Sequence, residues 1–178
     1  MTLDLIKSST SACDADIMVK LARAGELGLL GRLQRVILIP EKVRREALRK
    51  IGTKGSGGAS IGDGMKQGWL RVVDVYNSPE LTMEQHASIQ VFINSYRDFL
   101  GPGELEAAAL AHEFGVPLMF SDDREAQRYI EAFTDVKVLR LHEVITLGKM
   151  QDYPLGTPIP DLMRQAEDRL NGILPGLD

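Results

Sequence analysis

Carboxylates recur just past apolar runs or short loops in this 178-residue chain. In "PLMFSDDREAQ" an apolar run ends on Ser121, Asp122 and Asp123. "ACDADIM" puts Asp14 and Asp16 ahead of a helix-like stretch. "IPEKVRREAL" puts Glu46 six residues after Pro40, and "GPGELEAAALA" puts Glu104 at the head of an alanine- and leucine-rich segment. Acids crowded into one place repel unless a cation neutralises them. Hard divalent cations take oxygen ligands of this kind. A bound metal lowers the pKa of its water and stabilises charge on a phosphate. Each acid also has a plainer explanation. Asp14, Asp122 or Asp123 can cap a helix, Glu104 can sit in a first turn favoured by the helix dipole, and Glu46 can be a solvated charge. Those explanations take the acids one at a time and leave their recurrence unexplained.

The elements that would position these acids follow from hydrophobic periodicity. Asp16 to Ala24 has helical spacing and is stopped by Gly25. "LGLLGRL" is a short apolar turn, and Val36 to Ile39 is a buried strand. Pro40 suits the first turn of a helix running to about Lys50. Gly52 to Gly64, "GTKGSGGASIGDG", predicts a mobile loop, and it lacks the GxxxxGK[ST] pattern of a phosphate-cradling loop. Trp69 to Val75 is strand-like, Leu81 to Leu100 a long helix, and Glu104 to Phe114 a helix ended by Gly115. Val116 to Phe120 and Val136 to Leu141 are strands on either side of a helix from Asp123 to Phe133. His142 to Lys149 is helical, and residues 151–178 form a C-terminal extension with an amphipathic helix from about Pro160 to Leu170. Strands alternating with helices predict one α/β domain spanning residues 1–178, three layers deep (α/β/α), with a central mainly parallel sheet. Sites in such folds form beyond the carboxyl ends of the strands, where Ser121, Asp122 and Asp123 fall.

Composition narrows the function. The formal charge is −4, which argues against a wholly basic nucleic-acid binder but leaves room for a local basic face. Setting Asp14, Glu46, Glu104, Asp122 and Asp123 aside as neutralised by a cation leaves a near-neutral remainder. Lys20, Arg23, Arg44, Arg45, Arg124 and Arg128 lie on the acid-bearing helices and could grip phosphates. Cys13 is the single cysteine, so no internal disulfide can form. No signal peptide and no membrane-length apolar run is visible, and the expected location is the cytoplasm. His86, His112 and His142 are far apart, and "HEFG" is not HExxH, so a zinc protease has no support.

Taken in order, "CDADIMVKLARAGELGLLGRL", "VILIPEKVRREAL", "GPGELEAAALA" and "PLMFSDDREAQRYI" resemble the PIN-domain nucleases, closest to the branch with a GxGE motif. The resemblance covers about Ser11 to Lys50 and Gly101 to Met150, and residues 51–100 match loosely. It implies a Mg²⁺ or Mn²⁺ site. By position its carboxylates would be Asp14, Glu46, Glu104 and Asp123, with Asp122 as an alternative or fifth ligand and Ser121 as the hydroxyl that orients the site. It implies hydrolysis of phosphodiester bonds in single-stranded RNA. Many members are toxins, so a cognate antitoxin protein and a homodimer are implied as well. The chain departs from the pattern in three places. Asp16 stands where small polar residues are common, "KSSTSAC" is poorly apolar for a strand, and the doubled aspartate leaves the last ligand ambiguous by one residue.

Two other classes are consistent with parts of the sequence. "DADIM" approximates the DxDx[TV] signature of haloacid-dehalogenase-like phosphatases, with Asp14 as nucleophile and Asp16 as acid/base. That family also wants a lysine before its later acidic motif, and none lies between Lys66 and Lys137. The remaining class is a catalytically inactive binding module that keeps the PIN fold.

Overall fold

The computed structural model describes residues 10–52 and 56–153. The helix expected at about Pro160 to Leu170 lies outside the described residues. The elements run β1 (Thr10–Cys13), α1 (Ala15–Arg23), α2 (Gly28–Leu33), β2 (Val36–Pro40), α3 (Glu41–Ile51), α4 (Ser56–Gln67) and β3 (Leu70–Val73). They continue with α5 (Met83–Tyr96), α6 (Pro102–Glu113), β4 (Leu118–Phe120), α7 (Arg124–Phe133), β5 (Lys137–Leu139) and α8 (Leu141–Met150).

The five strands form one parallel sheet in the order β3-β2-β1-β4-β5. The chain lays strands outward from β1 to β3, then returns to place β4 on the other side of β1. That reversal makes the β1/β4 boundary a topological switch point, where open α/β sheets form their sites. Alternate residues of each strand face opposite sides. Cys13, Ile37, Ile39, Phe120 and Leu139 pack into a core shared with α1, α2, α3, α4 and α8. Ala12, Leu38, Met119 and Val138 pack into a second core shared with α5, α6 and α7. The arrangement is therefore the expected three-layer α/β/α with a parallel centre.

The Gly-rich segment corrects the sequence expectation. Ser56 to Gln67 is a helix, so the predicted loop from Gly52 to Gly64 does not hold over its larger part. The glycines are used for close approach. A Cβ at Gly64 would stand within 3 Å of the Trp69 ring, and so would one at Gly31. Trp69 therefore lies between α2 and α4 because both helices present bare backbone to it. Gly64→Val is expected to destabilise the fold by about 1–3 kcal/mol, the range for overpacking a filled interior. Chemical denaturation checks this, and an unchanged unfolding midpoint would show the contact to be loose.

Pro40 is also placed differently from the expectation. It ends β2 and precedes the first turn of α3 instead of lying inside it, with φ −60° and ψ 149°. Helix α6 is Ala-rich for a packing reason. Ala107, Ala108, Ala109 and Ala111 are buried on several sides of the helix, because α6 is wedged between α5, α3 and strands β1, β2 and β4.

Candidate active site

The β1/β4 switch point sets the centre of the site. Cys13 is in register with Phe120, and the Asp14 amide donates to the Phe120 carbonyl at 2.9 Å. The chain leaves both strands side by side, which brings Ser121 beside Asp14. The Ser121 hydroxyl donates to Asp14 Oδ2. Asp14 Oδ1 accepts the Ile17 amide at 3.2 Å, so the same carboxylate caps α1. The cap proposed from sequence and the orienting hydroxyl are both present, one on each oxygen.

Asp14 is only 2% exposed. Its pKa is raised to about 7: burial is the main cause, the charges of Glu104 and Asp16 add to it, and the bonds from Ser121 and Ile17 oppose it. Glu104 is also raised above its ordinary value. Burial is the main cause, opposed by its own backbone N–H and reinforced by Asp123, Glu46 and Asp16. The acids from α1, α3, α6 and the β4–α7 junction thus act on one another. Asp14, Asp16, Glu46 and Glu104 line a cleft of about 250 Å³ together with Lys42 and Lys50, and Asp123 lies outside its wall. A Cβ at Gly103 would come only into ordinary contact with Glu46 Oε2, at 3.4 Å.

The two neighbouring aspartates of the β4–α7 junction diverge. Asp123 caps α7, its Oδ1 accepting the Glu125 and Ala126 amides at 2.7 and 2.9 Å, and its charge reaches Glu104. Asp122 turns the other way. It is ion-paired with Lys20 and Arg140 and accepts the Leu141 amide at 3.2 Å. Burial works against its ionisation, but these donors hold it below its ordinary value.

Sequence reasoning missed Lys50. Its ammonium bridges Asp16 at 2.7 Å and Glu46 at 2.8 Å, and the two carboxylates push its pKa up to about 12. The i,i+4 spacing of Glu46 and Lys50 on a helix was a signal for half of this bridge. Its other half, to Asp16, crosses between two helices and has no local signature. Several cations expected to grip phosphates are already engaged: Lys20 with Asp122, Arg44 and Arg45 with Glu41, and Arg23 with the Lys50 carbonyl. Lys42, Arg49 and Lys50 line the acidic cleft instead.

As the side chains stand, no three of the described His, Cys, Asp and Glu residues converge closely enough to hold one ion. The donors do fit a hard divalent cation in kind. They are carboxylate oxygens, and those of Asp14 and Glu104 lie in a buried, mutually repelling environment. Such an arrangement favours either a proton or a cation.

Comparison with known proteins gives three findings. No curated protein matches the chain. Among solved structures, one similar chain comes from the crystal structure of VapBC2 from Rickettsia felis bound to a DNA fragment from their promoter. It is 12% identical, with a TM-score of 0.48, and the match covers 74% of this chain and 98% of that one. The PIN domain family matches residues 10–153, which takes in all five strands and every acid of the cleft. The phosphatase resemblance of "DADIM" is thereby set aside: this chain belongs to the PIN-domain family, whose members are in general nucleases.

Proposed function

We propose that the chain is a metal-dependent endoribonuclease that hydrolyses phosphodiester bonds of single-stranded RNA. The observation that carries this reading is the cleft at the carboxyl edge of the sheet lined by Asp14, Asp16, Glu46 and Glu104, with Glu104 also feeling the charge of Asp123. The proposed ligands of Mg²⁺ or Mn²⁺ are Asp14, Glu46, Glu104 and Asp123. Asp122 is left out because Lys20, Arg140 and the Leu141 amide occupy it.

When bound, the cation would supply an activated water and a counter-charge for the phosphate. The chain's own groups do the rest. Ser121 holds the Asp14 carboxylate in place through its hydroxyl. Lys42 and Arg49 at the cleft offer donors to phosphate oxygens and so orient the backbone of the substrate. No nucleophilic side chain is needed, because water is the attacking group. Incubating the full chain with mixed single-stranded RNA and DNA, with and without Mn²⁺, tests the reading. RNA shortened only when Mn²⁺ is present is the expected result. Intact RNA in its presence contradicts it.

The toxin role, with a cognate antitoxin protein as partner, and a cytoplasmic location belong to the same proposal and rest on the family resemblance. Among the described residues no helix is long and apolar enough to cross a membrane.

Self-association is proposed on a separate observation. Tyr96, Phe99, Tyr129 and Phe133 pack ring against ring where α7 meets the end of α5, stacked in two pairs and tilted or edge-on in two, and Phe99 and Phe133 remain substantially exposed. A contiguous aromatic surface of this kind marks an interface. A homodimer is the simplest closed arrangement. Light scattering at tens of micromolar should give twice the chain mass, and Phe99→Glu should return it to one. A wild-type monomer at that concentration counts against the dimer.

A further inference from the structure

A second cleft opens on the same edge of the sheet, beside the acidic one. Its volume is about 420 Å³, within the roughly 300–1,000 Å³ of small-molecule sites. Lys42 and Arg45 of α3, Tyr76 and Asn77 of the loop after β3, and Glu106 of α6 line it, together with the carboxylates of Glu41 and Asp74. Lys42 borders both clefts. Helix α6 serves both as well. Glu104 and Glu106 are two residues apart and so point to different sides of the helix, one toward each cleft.

Three features of this cleft need an explanation. Glu106 is only 5% exposed, and the one side-chain hydrogen bond it receives among the described residues is from the Tyr76 hydroxyl, at 3.3 Å. A carboxylate buried that deeply is costly unless it is well bonded. Tyr76, in contrast, leaves 53% of its surface exposed at the mouth. The loop that carries Tyr76 is braced. Asp74 Oδ1 accepts the Tyr76 and Asn77 amides at 2.9 and 3.2 Å, and the Asn77 amide group donates to Asp74 Oδ2 at 3.3 Å. The His86 ring nitrogens lie 3.1 Å from the Val75 and Ser78 carbonyls. The loop therefore holds an exposed aromatic ring beside a buried acceptor, with Lys42 and the Glu41-paired Arg45 on the cleft wall.

Aromatic faces that stack bases, with acceptors that read their edges, are how proteins recognise unpaired nucleotides. We propose that this cleft is a nucleobase subsite for one nucleotide flanking the cut bond, with the base on Tyr76 and its donors directed at Glu106. Lys42, between the two clefts, takes the intervening phosphate. Guanine suits the site best, because its adjacent ring N–H and amino group offer a carboxylate two donors. The inference rests on the ribonuclease reading for its place in the reaction.

Its test reads binding without cleavage. The full chain, labelled with nitrogen-15, is titrated with guanosine monophosphate and uridine monophosphate in the absence of metal. Guanosine monophosphate should shift the amides of Tyr76, Asn77 and Glu106, and should saturate at a concentration about tenfold or more below uridine monophosphate. Tyr76→Ala should weaken both by roughly tenfold, as loss of one base stack does. Glu106→Gln should narrow the difference between them. Tyr76 is exposed, so its variant keeps the test open if Glu106→Gln does not fold. Amides that neither nucleotide moves, or a preference unchanged in Glu106→Gln, would overturn the subsite. A chain that binds guanosine monophosphate here and cuts no RNA loses only the nuclease reading. One that cuts RNA while these amides stay still loses only the subsite.

Discussion

Asp14→Asn is expected to reduce Mn²⁺-dependent RNA cleavage by at least about a hundredfold, since losing only an outer-shell partner of a metal ligand already costs roughly 10–100-fold. The substitution keeps the shape of the side chain and can retain the Ile17 cap. It removes a negative charge that is buried beside Glu104 and Asp16. In the metal-free protein that charge is a liability, because burial and like charges both oppose it. The metal-free variant is therefore expected to be more stable than the wild type at neutral pH, by about 1–3 kcal/mol. The sign follows from the raised pKa. The folded protein holds its Asp14 proton up to about pH 7, so wild-type stability falls as pH rises between the ordinary carboxylate value and that point. Below that window the carboxyl is neutral in both states, and the advantage of Asn should vanish. Cleavage assays and urea denaturation at two pH values check the two halves. Full activity in the variant would remove Asp14 from the catalytic centre.

Phe120→Ala is expected to cost about 3–5 kcal/mol of folding stability, the range for deleting a buried aromatic ring. Phe120 is fully buried and ends β4 between Cys13 of β1 and Leu139 of β5. It belongs to the core into which α1 and α3 also pack; Asp14 caps α1, Asp16 lies on it and Glu46 lies on α3. The Phe120 carbonyl accepts the Asp14 amide. The cavity left by alanine would therefore loosen the acidic cleft together with the fold. Urea denaturation measures the loss, and a change below about 1 kcal/mol would mean that the neighbouring helices collapse into the space.

The contrast between β4 and β1 shows which parts of the fold could be read from sequence. "PLMF" is an apolar run before a cap, and its strand and an aspartate cap on α7 follow from periodicity and capping chemistry, with Asp122 and Asp123 equally eligible for the cap. "TSAC" is the central strand of the sheet, yet it carries almost no hydrophobic signal. Small residues are admissible there because the alanines of α6 press closely from one side, a tertiary fact with no local trace. Helix α4 was misread for the same reason. Its glycines look like a flexible loop until Trp69 is placed beside them.

The candidate site divides along the same line. Asp14, Ser121, Glu104 and Asp123 were legible because each stands at a strand end or helix start, where topology alone brings groups together. The separation of Asp122 from Asp123 was not legible. It depends on Lys20 and Arg140 arriving from other elements to take one of two identical side chains. The cleft of Tyr76 and Glu106 was also invisible. Its aromatic lies in the stretch that the motifs match least, and Glu106 looks like one more helix acid until its burial is known.

In the proposed function one divalent cation draws Asp14, Glu46, Glu104 and Asp123 together as its ligands. Paramagnetic broadening by Mn²⁺ in the labelled full chain tests it most directly. Low Mn²⁺ should selectively broaden the amides of Ala15, Gly103, Glu104 and Asp123, leave those around Leu147 sharp, and lose the effect in Asp14→Asn. Broadening spread evenly over the surface acids, or unchanged in Asp14→Asn, would contradict the account.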